Sequence, residues 1–258
     1  MKNPIFLLLL IELASLCSFA QGPPIFTETP IMLGLNGRAI RTFGKYAHGE
    51  NSRSYTHVVA IPYNITTQFQ IGSVVPFTWK SSQGMSSRAG LGDVTLFAKQ
   101  QAFQIDGTGK TFRMLVKGTT TLPTGNTSGE PAIGSGQWHL GLGIVAGYIT
   151  TRLGLYAESG YLWISDGMPD EIYYALEASL PLLPQKYPPS QLNLSAGLTA
   201  SINASSYDQT LFISSGLQYI AGRRFLMETG VLIPVKEDNP DATDTKYIFL
   251  LGARMLIF

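Results

Sequence analysis

Apolar and polar side chains alternate residue by residue over most of this chain. Ile172, Tyr174, Leu176, Ala178 and Leu180 alternate with Glu171, Tyr173, Ala175, Glu177 and Ser179. Phe225, Met227, Thr229, Val231 and Ile233 alternate with Leu226, Glu228, Gly230 and Leu232. A period of two marks a strand, whereas a helix repeats its apolar positions at three and four. The pattern predicts about twelve strands, each long enough to cross a bilayer at a tilt. They fall near 33–46, 53–63, 66–79, 89–103, 111–122, 137–149, 151–164, 171–183, 190–202, 208–220, 224–235 and 245–258.

The segments between them alternate in length. Ser81-Ser82-Gln83-Gly84, the stretch 123–136 and the stretch 236–244 are long, while the turns at Asn64-Ile65, Asp106-Gly107, Thr150 and Gly222 are tight. Lys186-Tyr187-Pro188-Pro189 is a longer turn that fits this rhythm less well. Long outer loops and short periplasmic turns are the habit of single-chain bacterial barrels, whose even strand number leaves both ends on one side. The expected fold is therefore all-β: a single antiparallel transmembrane β-barrel, one domain over residues 21–258. A soluble β-sandwich or lipid-binding barrel would also alternate, but it would carry charge on its outer face.

Residues 1–20 read as a secretory signal peptide. Lys2 precedes an apolar run from Ile5 to Ile11, resumed after Glu12, and Ser18 and Ala20 are the small residues expected before cleavage at Gln21. An uncleaved anchor is the alternative; acylation at Cys17 is a weaker one, because Leu16 is bulky for a lipobox. Cys17 is the single cysteine, so a chain cleaved there has no disulfide, cysteine-held metal or cysteine nucleophile. Charged residues make up 14%, against roughly 25% in ordinary globular domains. The net charge of +1 offers nothing to nucleic acid. No later apolar run reaches the length of a membrane-spanning helix.

The chain ends in a strand carrying Leu256 and Phe258, the form of the sorting signal by which the barrel-assembly machinery takes up outer-membrane barrels. One conflict follows. A lipid-facing Phe258 turns Arg254 to lipid too, unless a bulge, snorkelling or the opposite facing intervenes.

With each apolar face set to lipid, charges remain on the other face. Asp93, Lys99, Arg113, Lys117, Arg152, Glu158, Glu177 and Glu228 are the expected lumen-lining residues, since each would cost a few kcal/mol in hydrocarbon. They read either as a structural ladder of ion pairs filling a narrow lumen or as a polar pore lining. Tyr148, Tyr161, Trp163, Tyr174 and Tyr219 stand toward strand ends, as interface aromatics do. His48, His57 and His139 are the histidines. His139, with Ser135 nearby in sequence, is the best of them for catalysis, but no nucleophile, base and orienting acid come together. Asp238, Asp241 and Asp244 lack the glycine and terminal glutamate of a calcium loop. No cofactor site, nucleotide motif or plug domain is legible.

The run Gly90-Leu91-Gly92-Asp93-Val94-Thr95-Leu96-Phe97-Ala98-Lys99 and the later Leu122-Pro123-Thr124-Gly125, which opens a Gly/Ser-rich loop before Trp138, resemble motifs of the bacterial outer-membrane barrels of the meta-pathway phenol-degradation family, also labelled transporters. The resemblance implies an outer-membrane pore passing aromatic or other hydrophobic compounds. The expected function is passive passage of a small solute, with outer-membrane lipid as surroundings. The alternative is a non-conducting barrel that anchors, senses or binds through its outer loops. A barrel lipid hydrolase and a soluble periplasmic β-protein are more distant rivals.

Overall fold

The computed structural model describes residues 22–184, 189–238 and 245–257. The expected signal peptide, Phe258, Asp241 and Asp244 lie outside the described residues. Thirteen strands are present among them: β1 (Arg38–Gly49), β2 (Ser52–Asn64), β3 (Phe69–Ser82), β4 (Arg88–Leu91), β5 (Thr95–Gly107), β6 (Lys110–Thr121), β7 (His139–Thr150), β8 (Gly154–Ile164), β9 (Glu171–Pro181), β10 (Ser190–Asn203), β11 (Gln209–Ala221), β12 (Phe225–Glu237) and β13 (Thr245–Ile257). Each pairs antiparallel with its neighbours, β13 returns to β1, and β2–β3 pairing completes the ring. β4 and β5 share one place in the wall. β4 pairs with Phe77–Lys80 of β3 and β5 with Phe69–Val74. The wall thus has twelve positions, interrupted once at Gly92-Asp93-Val94.

The outside is the apolar side. Leu140, Leu142 and Ile144 of β7, Leu176 of β9 and Leu251 of β13 are each about half or more exposed. Lys99, Glu177 and Glu228 are almost fully buried. A water-soluble protein has the reverse arrangement. In hydrocarbon it is the expected one, because charges are expensive there and every backbone N–H needs a partner within the closed sheet. No helix of the described residues is long and apolar enough to cross a membrane.

Turn chemistry explains where strands stop. Gly109 and Gly222 take positive φ in the tight β5–β6 and β11–β12 turns. Thr66 Oγ1 accepts the amides of Gln68 and Phe69 to close β2–β3. The sequence places the first strand from residue 33; it begins at Arg38, because Gly34 and Asn36 are left-handed and turn the chain. The strand expected at 151–164 begins at Gly154. Arg152 therefore stands exposed in the β7–β8 turn rather than in the wall.

The facing of the last strand is settled by its register. Arg254 lies directly opposite Arg41 of β1 and points inward, together with Leu250. Leu251, Met255 and Ile257 face outward. The opposite facing resolves the conflict: Leu256 shares the inner face with Arg254, and neither a bulge near it nor snorkelling is required.

The exterior should show a depth profile. Ile144→Arg, near the middle of β7, is expected to destabilise the barrel by about 2–4 kcal/mol, and Leu155→Arg, at the periplasmic end of β8, by about 0–1 kcal/mol. Urea refolding into lipid vesicles measures both.

Candidate functional site

The chain before β1 is not outside the barrel. Residues 22–33 run inside the lumen: the chain rises from the periplasmic end at Gly22 to Glu28 at mid-wall, returns past Gly147 at Pro30, and turns at Gly34–Gly37 to begin β1. Their backbone has no strand partner, so side chains of the wall must satisfy it. Glu177 of β9 does most of this. Its carboxylate accepts the amides of Ile25 at 2.8 Å, Phe26 at 2.8 Å and Thr27 at 3.0 Å, and the Thr27 hydroxyl at 3.1 Å. Tyr156 donates its hydroxyl to Gly22 O and Gln218 its Nε2 to Pro23 O, both at 2.9 Å.

Charge holds the middle of the segment. Glu28 reaches Lys99 of β5 at 2.8 Å and Lys117 of β6 at 3.4 Å. Lys117 also pairs with Glu158 of β8 at 3.0 Å, and Glu158 accepts the Glu28 amide at 3.1 Å. On the opposite wall Arg41 pairs with Glu228 at 2.6 Å and donates to Ile25 O at 2.9 Å. Arg254 stands 3.9 Å from the same Glu228. Apolar contacts complete the seat. Met32 packs with the fully buried Leu115 and Val145. Phe26 lies against Gly216 and Gly230, and Pro30 against Gly147, at distances that leave no room for a Cβ on the wall.

Lys99, Lys117, Glu158, Glu177 and Glu228 thus meet around one inserted segment. The other three expected positions are elsewhere. Arg113 pairs with Asp106 at 3.5 Å near the periplasmic end of β6. Arg152 is in a turn, as described. Asp93 sits at the interruption between β4 and β5, where the strand no longer runs, and fastens the 122–138 outer loop. It accepts the Gly125 amide at 2.8 Å, the Ser135 amide at 2.6 Å and the Ser135 hydroxyl at 2.8 Å. Burial alone would push the Asp93 carboxyl up, but these hydrogen bonds, with His139 nearby, hold it below the usual carboxylate range. A depressed carboxyl contributes fully above the ordinary aspartate pKa of 3.8 and loses its effect only as pH falls through the lowered value, so this clamp is intact at neutral pH.

Sequence reasoning missed the inserted segment and with it Glu28, Arg41 and Lys45. No separate plug domain was legible because the lumen is filled by a dozen residues of irregular chain, not by a folded unit. Two signals were available: Ile25, Phe26, Ile31 and Met32 are too apolar for an exposed leader, and Arg41, Phe43 and Lys45 share one face of β1. The hydrolase reading finds no support in contacts. Ser135 donates to Asp93, not to a histidine, and His57 faces outward, bonded to Thr42 at 2.8 Å and Tyr55 at 3.1 Å. Asp238 pairs with Lys236 at 2.7 Å.

A family model described as "Putative MetA-pathway of phenol degradation" matches residues 44–241. No curated protein sequence matches the chain. Among solved structures, the COG4313 outer membrane channel from Pseudomonas putida F1 superposes with a TM-score of 0.72 at 13% identity, over 91% of this chain and 100% of that one. The NanC porin does so at 0.54 and 9% identity, over 84% and 98%, and the KdgM porin, solved with disordered oligogalacturonate, at 0.54 and 10%, over 85% and 99%. At these identities the likeness is one of fold.

Two substitutions probe the seat and the clamp. Glu177→Ala orphans three amides and a hydroxyl and is expected to cost more than about 3 kcal/mol; a cysteine at position 27 should then react faster with a water-soluble thiol reagent. Asp93→Asn keeps the shape but removes the charge, and is expected to speed hydrogen exchange at the Gly125 and Ser135 amides about tenfold.

Proposed function

Because the chain belongs to the family described as "Putative MetA-pathway of phenol degradation", we propose that it is an outer-membrane channel for passive passage of small solutes, aromatic or hydrophobic ones among them. The observation that carries this reading is a closed ring of strands with an apolar exterior and a charged, hydrogen-bonded interior. Such an interior can also hold water and solutes, which a lipid-facing surface cannot. The solved structures of the same fold described above are named as a channel and porins, which supports passage rather than catalysis.

The inserted segment sets the scale of that passage. It occupies the cross-section between β9 and β5–β6, so ions and solutes must pass beside it. Lys99, Lys117, Glu158, Glu177 and Glu228 then act as lumen lining by positioning this segment, and mixed signs make strong ion selectivity unexpected. Phe258 and the final strand would be read by the barrel-assembly machinery. The non-conducting alternative draws on the same observation, since a seated segment can also shut a lumen.

Planar-bilayer conductance separates these readings. A small but finite conductance is expected for the intact barrel, rising several-fold when residues 22–33 are deleted. Conductance only in the deletion variant would make the intact barrel a closed one, and no conductance in either would end the passage reading.

A further inference from the structure

Beside the inserted segment the lumen holds a cavity of about 210 Å³. That is below the ~300–1,000 Å³ typical of drug-sized ligands and suits a body of about one ring. Its apolar walls are Phe43, Val74 and Phe97 of the barrel and Ile31 and Leu33 of the segment. The Phe97 ring lies flat on the wall because residue 72 is glycine; a Cβ there would stand 2.3 Å from the ring.

The charged walls are unbalanced. Arg41, Lys99, Lys117 and Arg254 line the cavity against one carboxylate, Glu28. Behind them Glu158 offsets Lys117 and Glu228 offsets Arg41. The Glu177 carboxylate is taken up by the amides of the segment, which leaves Lys99 and Arg254 against Glu28, an excess of one cation. Lys45 shares the Phe43 ring with Arg41, at 5.6 and 4.8 Å, and no carboxylate pairs with it among the described residues. Among the four cations that line the cavity, Arg254 is the least satisfied. Its Nε is buried without an acceptor, and its side chain is 12% exposed with the nearest carboxylate 3.9 Å away. Buried cations in excess of carboxylates, enclosed by low-dielectric walls, attract an anion.

We propose that this cavity binds a small monocarboxylate whose apolar body is about one ring in size, its carboxylate directed to Arg254 and Lys99 and its body against Phe43 and Phe97. The proposal rests on the passage reading, whose solute it names. Glu28 marks the chemistry. It is a carboxylate of the inserted segment held 2.8 Å from Lys99, an internal occupant of the position that a solute carboxylate would compete for. Its side chain and the guanidinium of Arg254 therefore act on the solute with opposite sign.

The test is equilibrium dialysis of the full barrel in detergent against sodium benzoate, with empty micelles as blank and sodium acetate, benzyl alcohol and benzylammonium as comparisons. One benzoate per barrel is expected, held at least tenfold more tightly than any of the three. Glu28→Gln should tighten benzoate about fivefold and Arg254→Met weaken it about tenfold; heat-modifiable gel migration checks that each barrel is folded, and Lys99→Met replaces Arg254→Met if that variant is not. Equal retention of benzylammonium, benzyl alcohol or acetate overturns the proposal, as does a shift of both variants in the same direction. Conductance of the same preparation separates the two readings: benzoate binding without conductance keeps the site and removes passage, and conductance without benzoate binding does the reverse.

Discussion

A strand surrounded by hydrocarbon has no water to satisfy its amides, so every one must find a carbonyl in a neighbouring strand. The β13–β1 pairing meets this requirement for the first and last strands, and the rest of the architecture follows from it. Once the sheet closes, it has one outside and one inside. Alternation then sorts every side chain to lipid or to the lumen with no third choice. Arg254 opposite Arg41 shows how strict the sorting is: two guanidinium groups share a cross-strand position because the only other face is worse. Glu228 between them makes the arrangement tolerable.

The same constraint applies to the segment inside, with different partners. Residues 22–33 have amides too, and no strand to pair with. Glu177 collects three of them on one carboxylate, and Glu158 takes a fourth. The lumen charges therefore do two jobs. They avoid lipid, and they serve as acceptors and counter-ions for a stretch of irregular chain. An ion-pair ladder and a polar lining are not competing descriptions here; the ladder runs through the segment, from Lys99 to Glu28 to Lys117 to Glu158.

Most of the wall was legible because its physics is periodic. The segment around Glu177 shows its facing in any window of ten residues, and the tight turns announce themselves by glycine and threonine. What was not legible is what the periodicity does not encode. The interruption at Gly92-Asp93-Val94 keeps the alternation on both sides and so looks like one strand. Asp93 there serves an outer loop through contacts to Gly125 and Ser135 that no local pattern reveals. The facing of β13 was ambiguous because Gly252, Arg254 and Leu256 mix signals on one face, and only the register with β1 decides it. The inserted segment has no period at all, and several of its partners come from strands more than a hundred residues away.

The placement of that segment has a consequence for biogenesis. Its residues are the first of the described chain, yet their anchors lie on β5, β6, β8, β9 and β12, and the seam that encloses them joins β1 to the final strand. The leader can take its full set of anchors only when all of these strands stand in one closed ring. A strand paired one residue out of step would turn Glu177 or Glu228 toward acyl chains and leave the leader without a berth. Docking of the leader thus reports that the whole circuit has been assembled in register, which makes this short irregular stretch a quality check on the barrel it fills.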